Sequence, residues 1–585
     1  MRQLIRRDPL LVIAMLAVAA IYASTLGRGI VNYDDTWLLR DNWVLQTPSW
    51  SSLHTILFDL SSPLRFTLTP EYLPVRDLSV MADFALWGHW WGGFHLTNLV
   101  IYELSIVLWF AALVAFGVDR RVAALALLLW ALHPSHAESV AWLSERKGLL
   151  GMMFAGACAL AYAKYRGGRS ARFLVLAVTC GVLAVWSKAT AAFAVAALVG
   201  LELALPALRV SWRRSLTGLG AIAVATGAAY VPVLILAVRW SVVGGTAAAL
   251  PASRAAMVVG VHGFYLRLAA MVIPNSVAYP ISIDGPSVVD LVLGAIGLAA
   301  LIGALAWRRT PANVRAGAAL WTFGWLPVSH LILPLQMIFV ADRYLLIPTL
   351  GLCLAAAAGI SAIANPRVRY ALVAAIAIAA ALRTLDAQTS WRAPTALWER
   401  AVASSPADGG AWAMYLEALD EAGRHDLARE AVAIGLEHSH APRLVLHEAL
   451  MLDEDGHRTE AMAAMRQAAD AGEPRAMADL AKWLLDDGRL DEALQYARRA
   501  TATLPSYANG QRMHGKVALA ANDVDEALAA FQTAYELERT PINRFNLGLV
   551  LATLHRDAEA RSYLEPLLVD PELATRARAL LATLH

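Results

Sequence analysis

Two adjacent carboxylates, Asp34 and Asp35 in "VNYDDTWLLR" (31–40), follow the first apolar run of the chain. Further ionisable groups interrupt apolar segments downstream. "YLPVRDLS" (72–79) carries Arg76 and Asp77, and "ALHPSHAESVAWLSERKGLL" (131–150) carries His133, His136, Glu138, Arg146 and Lys147. "WSKAT" (186–190) carries Lys188, and "ADRYLLIP" (341–348) carries Asp342 and Arg343. Ionisable groups near membrane depth are costly and generally face a cavity or a pathway. An aspartate can take a proton from a hydroxyl as general base. An arginine can hold a phosphate through two hydrogen bonds and stabilise its charge as it leaves. Acid opposite arginine therefore suits transfer of a group from a lipid-linked phosphate to a hydroxyl. The plainer reading of "YDD" is a polar turn after a helix, where Asp is common. A proton-coupled transporter would also use buried acids, but it has no evident need of the repeats described below.

The elements that must position these groups are apolar. Of 585 residues, 58% are hydrophobic and only 16% charged, well below the roughly 25% charged of a soluble domain. With a mean hydropathy of +0.50, the expectation is a polytopic membrane protein. A net charge of +2 gives no reason to expect a nucleic-acid partner. Cys158, Cys180 and Cys353 lie in apolar runs with neither metal-ligand spacing nor a disulfide framework. The run 10–26 follows Arg2, Arg6 and Arg7 and reads as a retained first span, without a convincing cleavage site. Candidate spans are 10–26, 94–116, 121–133, 148–164, 172–187, 189–206, 216–238, 288–307, 314–334, 344–362 and 369–385. With the N-terminus cytoplasmic, nearly every short cytoplasmic loop is basic, as positive-inside orientation requires. Eleven crossings place the chain's tail on the far side, together with Asp34, Asp35 and segments 133–147, 239–287 and 335–343. Segment 250–285, with Pro251, Pro274 and Pro280 and with Pro286 directly after it, reads as an amphipathic element over the cavity or an extra pair of short crossings.

After about residue 386 no run is long enough to span, and a repeat begins. "GRHDLA" (423–428), "GHRTEA" (456–461), "GRLDEA" (488–493), "NDVDEA" (522–527) and "RDAEA" (556–560) end in alanines spaced 33, 32, 34 and 33 residues apart. A period near 34 with a Gly turn and a small residue opening the second helix is the tetratricopeptide pattern. Such helix pairs bury their apolar faces on one another and form a solenoid that commonly binds polypeptide.

In order, "YDD", "YLPVRDLS", "GFHLTNLVIY", "HPSHAESVAWLSERKGLL", "WSK", "DRYLLIPTLGLCL" and "SWRAPTALWERAVASSPADGGAW" resemble the transmembrane and tetratricopeptide-repeat-containing O-mannosyltransferases and their bacterial relatives, of the GT-C superfamily. The resemblance covers about 20–400, and H-P-x-H-x-E-x-V-A-W is its most specific motif. It implies an all-α fold: a GT-C bundle over 1–385 with about 11 spans, then a tetratricopeptide-repeat α-solenoid over 386–585. It further implies an inverting glycosyltransferase that uses a polyprenyl-phosphate-linked sugar. Asp34 is then the general base toward the acceptor hydroxyl, and Asp35 supports it or orients the acceptor. Arg343 would bind the donor phosphate, with Arg76, Arg146, Lys147 and Lys188 as further donor-phosphate residues. Asp77, His133, His136 and Glu138 would form a network lining the cavity. The last three could instead ligate a divalent cation; no metal is assigned. His95 and Asn98 read as helix–helix contacts. Relatives commonly have Lys-Glu where this chain has Lys188-Ala189, which implies changed specificity or impaired activity. The implied partners are the lipid-linked donor, a protein acceptor recruited by the repeats, and the bilayer. The implied location is a bacterial inner membrane, with the repeats periplasmic. A lipid or cell-envelope glycan acceptor, or a non-catalytic repeat scaffold, are the alternatives.

Overall fold

The computed structural model describes residues 8–61, 63–69, 71–239, 252–332 and 339–584. Arg2, Arg6 and Arg7, and parts of the segments 239–287 and 335–343, lie outside them. The described residues contain helices and turns and no strand. Six helical stretches are long and apolar enough to cross a bilayer: Pro9–Gly27, Trp91–Phe116, Leu143–Arg166, Trp212–Arg239, Val288–Ala306 and Pro366–Arg392. Three shorter apolar helices accompany them, Arg172–Ser187, Ala191–Ala204 and Pro348–Ser361. The chain is thus a multi-pass membrane protein. The expected spans at 121–133 and 314–334 are helices too, Arg120–Ala131 and Ala312–Trp325, but each is under 18 residues.

By contacts the chain forms two units, Met1–Thr36 with Pro70–Ser405, and Trp37–Thr69 with Pro406–His585. The expected border at 385 falls inside the helix Pro366–Thr389; the repeat unit begins after Ser405 and also takes in the segment that follows "YDD".

The first unit packs around a core that includes Trp109, Trp130, Tyr102 and Tyr162. Segment 250–285 contributes a helix, Arg254–Ala269, that lies against Val288–Ala306. Their approach needs glycine. A Cβ on Gly263 would sit 1.9 Å from the Asp290 carbonyl oxygen, and one on Gly294 1.8 Å from that of Val259. Small residues are what let helix backbones meet this closely in a membrane, and an Arg267–Asp290 ion pair at 2.6 Å adds a polar tie. Gly263→Ala is expected to push these helices apart. The cost is about 1–3 kcal/mol, as for other overpacked cores, read as a lower thermal midpoint in detergent.

In the second unit five helix pairs follow one another, Gly409–Glu421/His425–His438 through Pro541–Thr553/Asp557–Leu564. The periodic alanines Ala428, Ala461, Ala493, Ala527 and Ala560 are all fully buried, because the second helix of each pair can approach the first only over a small side chain. Each intra-pair turn holds one residue at positive φ: Gly423, Gly456, Gly488, then Asn522 and His555. The segment Trp37–Thr69 is held within this unit at separate points. Arg40 pairs with Glu421 at 3.7 Å. The Trp43 indole N–H donates to the Glu536 carbonyl, and the Arg539 guanidinium lies 3.6 Å from the Trp43 ring centroid.

Candidate active site

The acid pair occupies the turn between the helical stretch Pro9–Gly27 and the helical turn Thr36–Arg40. The two carboxylates have different surroundings. Asp35 is buried, and its oxygens accept from the Val31 N–H at 3.2 Å, the Ser144 N–H at 3.0 Å and the Ser144 hydroxyl at 2.5 Å. Burial pushes its carboxyl up to about 7, against the lowering effect of those donors. Asp35 therefore pins the turn to the segment 143–145. Asp34 is half-buried and makes no hydrogen bond or ion pair among the described residues. Burial raises its carboxyl above the ordinary range, while the charges of Lys147, Arg343 and Arg76 pull the other way. It is a carboxylate with cations nearby and no assigned partner, which is what a base awaiting a hydroxyl requires. Aromatic rings support the turn from behind. Tyr33 stacks on Trp142 at 4.7 Å, Trp142 stacks on Trp391 at 5.6 Å, and the Trp398 indole donates to Asn32 at 2.8 Å.

Each of the five cations singled out from the sequence has a carboxylate of its own. Arg76 pairs with Asp77 at 2.5 Å, and Lys147 with Glu71 at 2.7 Å. Lys188 pairs with Glu145, and Arg343 pairs with Glu138, whose second oxygen accepts the Arg343 backbone N–H at 2.8 Å. Arg343 also lies 3.9 Å from Glu145 and faces the rings of Trp142 and Tyr344. Arg146 corrects the expectation. It is buried and pairs with Asp83 at 2.5 Å, while also donating to Asn98 at 2.7 Å, to the Phe94 carbonyl and to Ser79. Its guanidinium donors are thus taken up inside the bundle, and none is turned to a phosphate in this arrangement. Asn98 accordingly serves as a helix–helix contact.

His133 and His136 are buried and have both ring nitrogens engaged. His133 meets Ser135 at 2.8 Å and the Ala269 carbonyl at 2.9 Å; His136 meets Tyr102 at 2.8 Å and Thr349 at 2.9 Å. With Glu138 on Arg343, these three residues have partners other than a metal, and no group of three or more His, Cys, Asp or Glu among the described residues is arranged to hold one. Asp342 does not pair with Arg343; it accepts from Asn275 at 2.8 Å and from the Tyr279 hydroxyl.

A cleft of about 400 Å³, including space open to solvent, is lined by Lys188, Thr190, Arg343 and Tyr344 with apolar neighbours such as Met152 and Ile347. A second, of about 270 Å³, is lined by Asn275, Ser276, Asp342, Ser390 and Trp391. The consecutive side chains of Asp342 and Arg343 thus serve different clefts. Sequence reasoning passed over Glu71, Asp83 and Glu145. Their one signal is that each is an acid in or beside an apolar segment that already carries a cation.

No family model matches the chain, and no curated protein matches it. Among solved structures it is similar to the Archaeoglobus fulgidus oligosaccharyltransferase tethered with an acceptor peptide containing the NVT sequon, at 14% identity over 71% of this chain and 57% of that one, TM-score 0.36. The apo form of that enzyme gives 15% identity over 70% and 57%, TM-score 0.36. The Cut9–Hcn1 structure of the APC/C gives 13% identity over 92% of this chain and 99% of that one, TM-score 0.29. The chain therefore spans little more than half the length of the oligosaccharyltransferase. Likenesses this distant leave the functional reading to rest on the residues themselves.

Proposed function

We propose that this chain is a membrane glycosyltransferase that moves a sugar, with inversion, from a polyprenyl-phosphate-linked donor to a Ser or Thr hydroxyl of a translocated protein. The observation that carries this reading is Asp34: half-buried, without a hydrogen bond or ion pair among the described residues, and subject to the charges of Lys147, Arg343 and Arg76. In the reaction Asp34 takes the proton of the acceptor hydroxyl. The hydroxyl oxygen then bonds to the anomeric carbon from the face opposite the phosphate. The bond from that carbon to the phosphate oxygen breaks, and the polyprenyl phosphate leaves with its charge held by Lys147 and further stabilised by Arg343 and Lys188, which line one cleft and stay paired with Glu138 and Glu145. The motif order read from the sequence supports this chemistry. The repeats support a polypeptide acceptor, which they would hold at high local concentration. The basic-loop pattern supports a cytoplasmic N-terminus, with the acid pair and repeats on the far, periplasmic side of a bacterial inner membrane.

Intact-mass comparison of exported proteins from cells with and without the gene tests the reading. The expected result is one or a few hexose-sized mass increments, lost on deletion, on a Ser/Thr-bearing protein. An unchanged protein profile with a changed lipid or envelope-glycan profile would move the acceptor to lipid or glycan. No change in either would leave a repeat scaffold.

A further inference from the structure

The five cation–carboxylate pairs differ in one respect. In four of them the carboxylate side chain is sealed in: Asp77 at 0%, Asp83 at 3%, Glu145 at 0% and Glu138 at 2% exposure. In the fifth, Glu71 is 41% exposed while its partner Lys147 is only 15% exposed. The cation is built into the bundle, on the candidate span Leu143–Arg166, and its anion reaches solvent. Glu71 also feels more than one cation. Burial raises its carboxyl, but pairing with Lys147 and the charges of Arg76 and Lys188 outweigh this and hold it down at about 2. Its carboxylate thus marks the position where three of the predicted phosphate-binding side chains act together on one anion. It is also close enough to Asp34 to raise that carboxyl in turn.

An anion arriving from outside can exchange into such a pair without dehydrating a sealed one. Replacing a buried partner would first strand a charge inside the bundle, whereas a pair that reaches solvent on one side is held more weakly. We infer that Glu71 is a placeholder for the donor's phosphate: its carboxylate keeps Lys147 paired until the phosphate monoester or diester group of a prenyl lipid takes its place. This rests on the donor proposed above and names the residue the donor must displace. Glu71 then acts through Lys147, as a positioning residue and not a catalytic one.

The purified full-length chain in nanodiscs of zwitterionic lipid, titrated with farnesyl phosphate and with farnesol as the uncharged control, decides the point. Glu71→Gln keeps the side chain's shape and removes its charge. It should tighten farnesyl phosphate binding about fivefold, within the range that a partly exposed ion pair supplies, and leave farnesol binding unchanged. Lys147→Gln should weaken farnesyl phosphate binding at least as much. Glu71→Asp, with its carboxylate withdrawn by one methylene, should give a smaller tightening and serves if Glu71→Gln does not fold. A purely structural ion pair predicts the opposite: loss of Glu71 leaves Lys147 less well held, and binding weakens or stays the same. Wild-type binding that the folded Glu71 variants fail to tighten overturns the placeholder alone. No farnesyl phosphate binding by wild type or any folded variant removes the prenyl-phosphate donor, and the placeholder with it.

Discussion

Asp34→Asn should lower sugar transfer by roughly a thousandfold, the middle of the range for a lost general base, while the thermal midpoint in detergent stays where it was or rises slightly. The asparagine has the same shape, and Asp34 makes no hydrogen bond or ion pair among the described residues that the amide could spoil. Removing a carboxylate that burial disfavours also relieves a cost. Its neighbour should behave in reverse. Asp35→Asn offers a single carbonyl oxygen where two carboxylate oxygens accept three hydrogen bonds, and turns an NH₂ toward groups that are themselves donors. Leaving buried donors unmatched costs about 1–3 kcal/mol, so the midpoint should fall, and activity should fall with it through a displaced turn. The pH dependence separates them further. Transfer needs Asp34 ionised, and burial has raised its pKa. The wild-type rate should therefore climb with pH above the ordinary carboxylate range and then level off, and Asp34→Asn should erase the climb. Initial rates and melting curves on the two variants are enough. An Asp34→Asn protein that keeps a tenth of the wild-type rate would exclude it as the base.

How much of this could be seen in the sequence depended on the range of the interaction. The apolar runs gave the membrane helices, because burial in lipid demands some 20 apolar residues in a row. Their ends shifted where local chemistry intervened: Pro348 opens the helix expected from 344, leaving Asp342–Leu345 as a separate turn. The repeats were legible because Ala428, Ala461, Ala493, Ala527 and Ala560 fill one packing role at one period. Arg76 and Asp77 are neighbours in sequence and paired as neighbours. The other partners lay out of reach of pattern reading, with Lys147 and Glu71 76 residues apart and Lys188 and Glu145 43 apart. Only tertiary packing selects one carboxylate among many. Segment 37–69 was opaque for a related reason. Its helices are short, and its place with the repeats depends on single contacts such as Trp43 with Arg539, which leave no period to detect.

Arg146 and Lys147 are adjacent, yet removing their charges should have effects of very different size. Arg146→Met should destabilise the bundle by about 3–5 kcal/mol, the usual result of removing one partner from a buried ion pair. It would strand Asp83, which is 3% exposed, with the Thr97 hydroxyl at 2.8 Å and the Trp87 indole as neutral donors but no countercharge. It would also leave the Asn98 side-chain oxygen and the Phe94 carbonyl without the guanidinium they accept from. Lys147→Gln, at a pair that reaches solvent, should shift stability by less than about 1 kcal/mol. The cause of the first loss can be isolated. Arg146→Met combined with Asp83→Leu removes both charges and should recover most of the stability, because two matched apolar side chains replace a buried ion pair at little net cost. Thermal midpoints of the three proteins in one detergent would show this. A fully stable Arg146→Met protein would mean that Asp83 is not held by Arg146, and would return the arginine to the candidate ligands of the phosphate. A double variant no better than the single would place the loss in the Asn98 and Phe94 hydrogen bonds. The helix that begins at Arg146 thus pairs one cation with a carboxylate sealed in the bundle and the next with a carboxylate that reaches solvent.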